Sequence, residues 1–497
     1  MTALTTGRRQ RAARVLRPLA TLTALAWLAA CATAPPQAEG PAAPPVALAP
    51  RFAHGGQPGL ATAALDADWW RDHGDATLAA LVDEALRTNQ DIAMAQQRVA
   101  QARAGLSAQA SRLWPTVGVQ AAVSRSDSGL PAAVKQGVPD TRAAVVGVDL
   151  AWEIDLAGGV RAARDAAQAD AWAAAAGVNG ARLLVASEVG RLYFVLRGAQ
   201  EQLRIVQALV DSQHQTADRV ATRQREGLAS ALDLDRALAE VDALRAQLPP
   251  LRTLVGVAQT QLAVLLGRSP STPVVDVETA FAWPAAQDIP PGQPGDLLRR
   301  RPDLIAAEAR VSAEGLRSDE ARAQWWPKLF VNALLGQQDL RLNALDLSPV
   351  RFTNVALAFS APLFNAGRIE AGVQAQAART DEALLAWQKS ILVAVQEVES
   401  SLLVRQQQAA RAVALGQNVA HRRRSLKRAE SLQREGQIDA LTLLDVQRSV
   451  LASELALSDS RLQQALADVQ LYKALGGGLP AATADAAPVS LAARTPK

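Results

Sequence analysis

The same short phrase, Arg-Glu-Gly, occurs twice in this chain within matching surroundings. It reads RQREGLASALDL around Arg225 and LQREGQIDALTL around Arg434, an offset of 209 residues. At that offset, and without a gap, Leu234 corresponds to Leu443, and apolar residues further along correspond as well. Chance similarity between alanine-rich helices would not keep these positions in order, so the match indicates an internal duplication.

The duplication extends upstream of the phrase. LWPTVGV at 113–119 corresponds to WWPKLFV at 325–331, and the helical pattern before each of these segments also matches. The sequence therefore predicts two repeats with the same order of elements, at 66–267 and 296–478, joined by a linker at 268–295.

Each repeat contains two segments in which apolar residues alternate with small or polar ones. Val146, Val148 and Leu150, for example, alternate with Gly147 and Asp149. Strict alternation predicts strands with one apolar face, and about ten residues is the length of a tilted strand that crosses a membrane. The alternative is an antiparallel sheet packed on a soluble core. The strands are predicted at about 114–126, 142–156, 326–338 and 352–364, with polar, turn-rich loops such as QQDLRLNALDLSPV between them.

Four strands cannot form a membrane-spanning barrel alone. A sheet in lipid must close so that no backbone edge remains exposed, and known barrels begin at about eight strands. Two copies of the chain would give a barrel filled by its own side chains, whereas three copies would enclose a lumen. The favoured prediction is an α+β membrane protein whose three copies form a homotrimeric, twelve-stranded barrel, with four strands from each chain.

The remainder of each repeat is predicted to be helical. Residues 160–226 and 368–435 contain no proline, and helices of nearly seventy residues would be roughly 100 Å long at about 1.5 Å per residue. Such lengths, with alanine-rich apolar stripes, indicate a coiled-coil wall rather than a compact core. The alternative, a solid coiled-coil stalk, is disfavoured because the helices follow directly from the strands. Each Arg-Glu-Gly phrase ends one of these helices, because glycine readily adopts the left-handed conformation of a helix C-terminus. The phrases therefore predict two hairpin tips, at about 225–231 and 434–440.

The N-terminus has the features of a bacterial lipoprotein signal. Residues 1–30 contain five arginines, no other charged residue and a short apolar run, followed by Cys31, the only cysteine in the chain. Cys31 is predicted to carry the lipid, and the Pro/Ala-rich residues 31–65 to form a tether. Removing the signal changes the net charge from +4 to −1, so the basic isoelectric point indicates no nucleic-acid partner. Residues 479–497 are predicted to be a C-terminal tail.

No motif for an enzyme is present in the sequence. Four scattered histidines and one cysteine give no metal-ligand spacing, and there is no nucleophile elbow or phosphate-binding glycine loop. Neither a catalytic site nor a metal or cofactor is expected. A periplasmic adaptor lipoprotein is a competing hypothesis, but it needs one helical hairpin rather than two repeats with four barrel-length strands.

Several motifs together resemble the outer-membrane efflux family of TolC, OprM and NodT, in its lipoprotein branch. They include RRPDLIAAEARVSAE, APLFNAGR, LTLLDVQRS and LYKALGGG, and the resemblance covers nearly the whole mature chain. It implies a homotrimer in the outer membrane, anchored by lipid, whose helical barrel extends into the periplasm. It further implies a passive exit duct that works with a periplasmic adaptor and an inner-membrane pump. Multidrug efflux with a pump of the resistance-nodulation-division type is the expectation, and a duct for type I protein secretion is an alternative.

The resemblance also implies roles for particular residues. The hairpin tips of the family dock on the adaptor, and the corresponding residues here are Arg225, Glu226, Gly227, Leu228, Arg434, Glu435, Gly436 and Gln437. Gln437 departs from the small apolar residue of the family. The family closes its periplasmic end with a ring of aspartates, which corresponds to Asp445. Arg236 occupies the position of Asp445 in the first repeat and is expected to help hold the closed state.

Overall fold

The fold consists of a four-stranded sheet and a much longer set of helices. The computed structural model describes residues 46–56, 68–127, 129, 131, 141–276, 281–284, 289–342 and 345–477. The predicted signal peptide, the lipidation site Cys31 and the tail lie outside these residues. Of the predicted tether, only residues 46–56 are described.

The four strands form one antiparallel sheet in the order β1-β2-β3-β4. Neighbours in the sheet are neighbours in the sequence, so the third strand pairs with the second and joins the two repeats along the whole height of the sheet. The strands are β1 (Thr116–Ser126), β2 (Thr141–Ile154), β3 (Lys328–Leu342) and β4 (Leu345–Ser360).

One face of the sheet is apolar across all four strands. Val119 lies opposite Val148, which lies opposite Leu335, and a second row aligns Trp152, Val331 and Leu357. Val119 is 78% exposed and Leu357 is 70% exposed in the single chain. An apolar face of this size in contact with water is costly, so it requires a cover.

The opposite face is mostly small and polar on β1 and β2, while β3 and β4 also contribute Leu334 and Phe352 to it. The Asp149 carboxylate lies over Gly118 of the neighbouring strand. Lys328 Nζ and Glu153 Oε1 form an ion pair of 3.0 Å. The two faces therefore differ as expected for a sheet with lipid on one side and water on the other.

The β3–β4 hairpin is longer than the sequence pattern suggested. The segment expected to be a turn-rich loop is mostly strand, and the fourth strand is Leu345–Ser360 rather than 352–364. The alternation of leucine with charged residues continues through this segment, and the ladder accommodates Pro349 because the register shifts opposite Gln338 and Leu340. The strand ends before Pro362, which has no N–H to donate to a ladder.

The helices account for most of the chain. Two of them, α4 and α9, have 67 residues each and run from the sheet to the two hairpin tips. The helices are α1 (Trp69–Asp72), α2 (Ala76–Thr88), α3 (Gln90–Ser111), α4 (Gly159–Arg225), α5 (Ala231–Arg245), α6 (Leu248–Leu265), a 3-10 turn (Pro294–Asp296), α7 (Leu297–Arg300), α8 (Pro302–Ala323), α9 (Arg368–Arg434) and α10 (Ala440–Ala474).

The helices follow one another along the chain in the same order in both repeats, with one difference. The long helix α4 contacts α3, α5, α6, α8 and α10, while α9 contacts α8 and α10. The return from the second tip is the single helix α10, whereas the return from the first tip is split into α5 and α6. Pro249 and Pro250 lie in the first turn of α6 and account for the break, because proline is tolerated there and not in a helix interior.

The main core lies at mid-height, where the two repeats meet. Trp69 of α1 is fully buried and stacks on Tyr472 of α10 with ring centroids 4.9 Å apart. The glycine at position 190 lets α4 approach this pair, since a Cβ there would come within 3.2 Å of Trp69. The N-terminal helices thus fix the end of the second repeat against the first.

Candidate functional site

The first hairpin tip is built by a glycine in the left-handed conformation. Gly227 has a φ of +75° and directly follows Glu226, the C-cap residue of α4. Its N–H donates to the Gln224 carbonyl at 3.0 Å, and the Leu228 N–H donates to the Arg223 carbonyl at 2.7 Å. These two bonds close the helix and turn the chain by the usual glycine motif.

The second tip repeats this geometry closely. Gly436 has a φ of +74°, and its N–H donates to the Gln433 carbonyl at 3.1 Å. The Gln437 N–H donates to the Leu432 carbonyl at 2.9 Å. Nothing lies within 4 Å of a Cβ added at either tip glycine, so a substitution there is opposed by backbone conformation and not by crowding.

An acidic cap begins the helix after each tip. Ser230 and Asp233 form a reciprocal capping box at the start of α5. At the second tip the Asp439 carboxylate accepts from the Thr442 N–H at 2.8 Å. The hydrogen bonds from Ser230 and Thr442 lower the pKa of Asp233 and Asp439 respectively, so both caps stay ionised. The Asp439 charge acts on Asp233 in the opposite sense.

The side chains at both tips are exposed. Arg225 donates to the Thr222 hydroxyl at 3.0 Å, and Arg434 donates to the Ser431 hydroxyl at 3.1 Å. Leu228 is 64% exposed, while Gln437 occupies the same place at the second tip and donates to Glu435. The first tip thus exposes an apolar side chain and the second a polar one. At each tip the neighbouring arginine is hydrogen-bonded to a hydroxyl one turn earlier in its own helix.

Asp445 lies close to the second tip and faces out of the single chain. Its side chain is 76% exposed, on the second turn of α10. Arg448, one turn further along, places Nη1 3.6 Å from Asp445 Oδ1. The same arginine forms an ion pair with Glu240 of α5 through Nη2, and this hydrogen bond raises its pKa further. Arg448 therefore joins the two hairpins of one chain next to Asp445.

Arg236 has a different environment. It is exposed on α5, where its charge acts on Asp233. Among the described residues, no ion pair joins Arg236 to Asp445. The sequence interpretation did not include Arg448 or Glu240. The spacing of three residues between Asp445 and Arg448 is a helical ion-pair signal that would have identified Arg448, whereas Glu240 is recognisable only from the packing of α5 against α10.

Among the described residues, no three histidine, cysteine or acidic side chains come together in a way that could hold a metal ion. Within the same part of the chain, every helix is too short or too polar for a membrane span.

Comparison with known proteins identifies the family. The model of the family described as outer membrane efflux protein matches residues 81–268 and 294–477, which is most of the chain and both repeats. The chain is an outer membrane efflux protein. Members of this family are channels in the outer membrane and not enzymes, so the exposed tips and the polar sheet face belong to an export duct.

Individual relatives cover the same region. The chain is 32% identical over 459 residues to the outer membrane protein OprJ of Pseudomonas aeruginosa, covering 91% of this chain and 94% of OprJ. It is also 32% identical over 464 residues to OpmQ, a pyoverdine export outer membrane protein of Pseudomonas putida, with 91% and 95% of the two chains covered. The structure superimposes on the outer-membrane channel OprN with a TM-score of 0.80 and 28% identity, over 88% of this chain and 98% of OprN. The chain therefore matches OprJ, OpmQ and OprN over nearly the whole of their length and has the fold of OprN.

Proposed function

We propose that three copies of the chain assemble into one duct, with a twelve-stranded barrel in the outer membrane and a helical barrel in the periplasm. The observation that carries this proposal is the combination of the exposed apolar sheet face with the order β1-β2-β3-β4. The free edges of this sheet, β1 and β4, are antiparallel to each other, as their pairing in a closed barrel requires, because four antiparallel strands alternate in direction. Lipid would cover the apolar face, and three copies would leave no edge in the membrane.

The two hairpin tips are the proposed docking sites for a periplasmic adaptor. Their shared geometry supports equivalent roles, because Gly227 and Gly436 hold the same left-handed turn with the same two hydrogen bonds. Three chains would present six tips in a ring. The apolar Leu228 and the polar Gln437 would give two alternating kinds of contact within that ring.

Asp445 is proposed to narrow the periplasmic end. Three exposed carboxylates close to one axis would repel each other and attract cations. The Arg448–Glu240 pair would hold the two hairpins of each chain together beside this ring. Docking of an adaptor would open the end by moving the second hairpin outward.

The proposed pump is an inner-membrane pump of the resistance-nodulation-division type, and the proposed cargo is small molecules such as drugs. The duct supplies no energy, so the pump and adaptor would determine what is exported. The relative OpmQ is named for pyoverdine export, which supports small molecules rather than proteins as the cargo. Acylation of Cys31 would anchor each chain to the periplasmic leaflet.

The docking proposal is tested by proline at the tip glycines. Gly227→Pro and Gly436→Pro replace a residue with φ near +75° by one fixed near about −65° and remove the N–H that closes the helix. We expect crosslinked trimers in the outer-membrane fraction but a return to drug sensitivity. Gly227→Asn is the matched control, because asparagine tolerates the left-handed conformation, and it should retain most export. Normal export by both proline variants would contradict the docking sites, and monomers outside the outer membrane would contradict the duct itself.

A further inference from the structure

The lower part of α9 carries a dense group of positive charges. His421, Arg422, Arg423, Arg424, Lys427 and Arg428 lie within two turns, with no acidic residue among them. The corresponding residues of the first repeat, 212–219, read SQHQTADR and have no such excess. The charge is therefore specific to the second hairpin and is not required to build a helix of this kind.

Three of these residues lie on the side of α9 that faces away from its own hairpin partner. Val419 and Ala429 are buried, and Arg423 forms an ion pair with Glu454, which fixes the face toward α10. Successive helix residues are rotated by about 100°. The opposite side therefore holds one stripe of residues that are all exposed, which we call the basic face: His421, Arg424 and Arg428.

The basic face has no acidic partner in the described part of its own chain. Arg424 donates to the His421 ring nitrogen at 2.7 Å, and no described carboxylate forms an ion pair with Arg424 or Arg428. A cluster of like charges on one helix face is unfavourable without counter-charges. Acidic residues from outside the single chain would offset it.

The helix α5 has the complementary feature. Ala237 and Val241 are buried against α4, which fixes the face of α5 toward its own hairpin partner. On the opposite side lie Asp235 and Asp242, two turns apart and both exposed, which we call the acidic face. Among the described residues, Arg245 of the same helix is the one cation within ion-pair distance of Asp242, at 3.6 Å.

The duplication indicates what the acidic face contacts. Within the chain, α10 packs on α4, and this seam joins the second repeat to the first. Asp235 and Asp242 correspond in the 209-residue offset to Leu444 and Leu451 of α10. Both leucines are buried, and Leu451 packs with α4 residues of a shared core cluster. The equivalent seam, in which α5 packs on α9, is not made within one chain and is available only between two copies.

The two faces also match in height. Arg428 lies six residues before the end of α9, and Asp235 lies four residues after the start of α5. At about 1.5 Å per residue, Arg428 is roughly 9 Å from its tip and Asp235 roughly 6 Å from its tip. Arg424 and Asp242 lie ten and eleven residues from the same ends, or roughly 15 and 16 Å. Two charge pairs can therefore form on one seam.

We propose that the basic face of α9 docks on the acidic face of α5 of a second copy of this chain. The seam of α10 with α4 inside the chain buries Leu444 and Leu451, whereas the seam between copies is charged. This inference rests on the proposed ring of three copies. It adds that ion pairs hold the ring together at its periplasmic end. Salt should therefore weaken the contact between α9 and α5 of two copies more than the leucine contacts between α10 and α4 of one chain.

Cysteine pairs test the contact directly. Asp235→Cys combined with Arg428→Cys should give disulfide-linked dimers and trimers on a non-reducing gel, while each single variant, which retains Cys31, should not. Asp235→Cys with Lys427→Cys is the matched control, because position 427 is rotated by about 100° from position 428. An intact trimer without crosslinks between positions 235 and 428 would overturn the seam and leave the ring in place. Absence of any trimer in the parent protein would overturn the ring as well.

Charge reversal tests whether ion pairs stabilise the contact between α9 and α5 of two copies. Arg424→Glu with Arg428→Glu should increase single-channel conductance and protease access at the tips several-fold, as should Asp235→Lys with Asp242→Lys. Combining all four changes should restore values close to those of the parent. Lys427→Glu should leave both measurements unchanged. Failure of the combined variant to recover, or an equal effect of Lys427→Glu, would overturn the charged seam.

Discussion

Arg448 of α10 contacts Glu240 of α5, and this ion pair joins the second hairpin to the first within one chain. The Glu240 side chain is only 15% exposed, whereas Arg448 is half exposed and also approaches Asp445. A partly buried carboxylate needs its counter-charge, because a charge left unpaired away from water is costly. The hairpins are therefore held together directly beside the exposed aspartate.

Removing Arg448 is expected to favour the open periplasmic end. An ion pair of this exposure contributes about 0.2–1 kcal/mol, and three copies acting together would sum to roughly tenfold in the open fraction. Arg448→Ala should raise conductance in planar bilayers by about that factor. Arg236→Ala is the control, since no described ion pair links Arg236 to Asp445. A larger effect of Arg236→Ala would show that the first-repeat arginine holds the closed state instead.

Asp445→Asn is expected to change the response to divalent cations. The substitution removes the charge and keeps the side-chain size, so three copies would lose three negative charges at the narrow end. Block of the channel by Mg²⁺ or Ca²⁺ from the periplasmic side should weaken strongly. Asp459→Asn, on the same helix and four turns further from the tip, is the matched control. Unchanged block in Asp445→Asn would place the cation site elsewhere.

The features that could be predicted from the sequence are those that occur in both repeats. The strands, the two long helices and the tip glycines each occur at corresponding positions, so one copy supports the interpretation of the other. The partner of Asp445 was missed because the repeats differ there: Arg448 corresponds to Ala239, and Glu240 corresponds to Ser449. Contacts made only once, between α5 and α10, leave no repeated pattern in the sequence.

The β3–β4 hairpin illustrates a second limit. Pro349 and several charged residues suggested a loop, although leucine continued to alternate with polar residues on both sides. A single extra residue in β4 shifts the register and accommodates the proline. Composition therefore favoured the loop, whereas periodicity was the better guide, because a ladder can absorb one irregular residue without ending.

His73 is expected to make the mid-height core sensitive to acid. Burial lowers its pKa to about 4, despite the opposing charge of Asp75, and its ring packs against Trp69, Phe194 and Tyr472. The unfolded chain binds this proton near pH 6.5 and the folded chain near pH 4, so stability falls as the pH drops through that window, by up to about 3 kcal/mol.

His73→Phe should remove most of this pH dependence while leaving stability at pH 7 nearly unchanged. Thermal unfolding followed by tryptophan fluorescence in detergent, at pH 7, 6, 5 and 4, gives the measurement. His214→Phe, at an exposed position on α4, is the control. Equal loss of stability between pH 6.5 and 4 in His73→Phe and the parent would assign the acid sensitivity to other groups.

The paired glycines Gly147 and Gly336 are expected to be essential for the pairing of β2 with β3. They lie opposite each other on β2 and β3, and Phe352 of β4 lies opposite Gly336. A Cβ on Gly336 would come within 2.5 Å of the Val146 carbonyl oxygen and 2.8 Å of the Phe352 ring. The first contact is with backbone, which cannot move without breaking the ladder, so Gly336→Ala should cost about 1–3 kcal/mol in each chain.

Gly118→Ala is the matched control for this prediction. A Cβ there would also be crowded, at 2.8 Å, but its neighbour is the Asp149 carboxylate, the free end of a flexible side chain. We expect Gly118→Ala trimers to remain intact on a gel after heating to temperatures that dissociate Gly336→Ala trimers. Equal heat resistance of the two variants would contradict the close approach of β2 and β3. A Gly336→Ala variant with Phe352→Leu should not recover, because the backbone contact remains after the ring is removed.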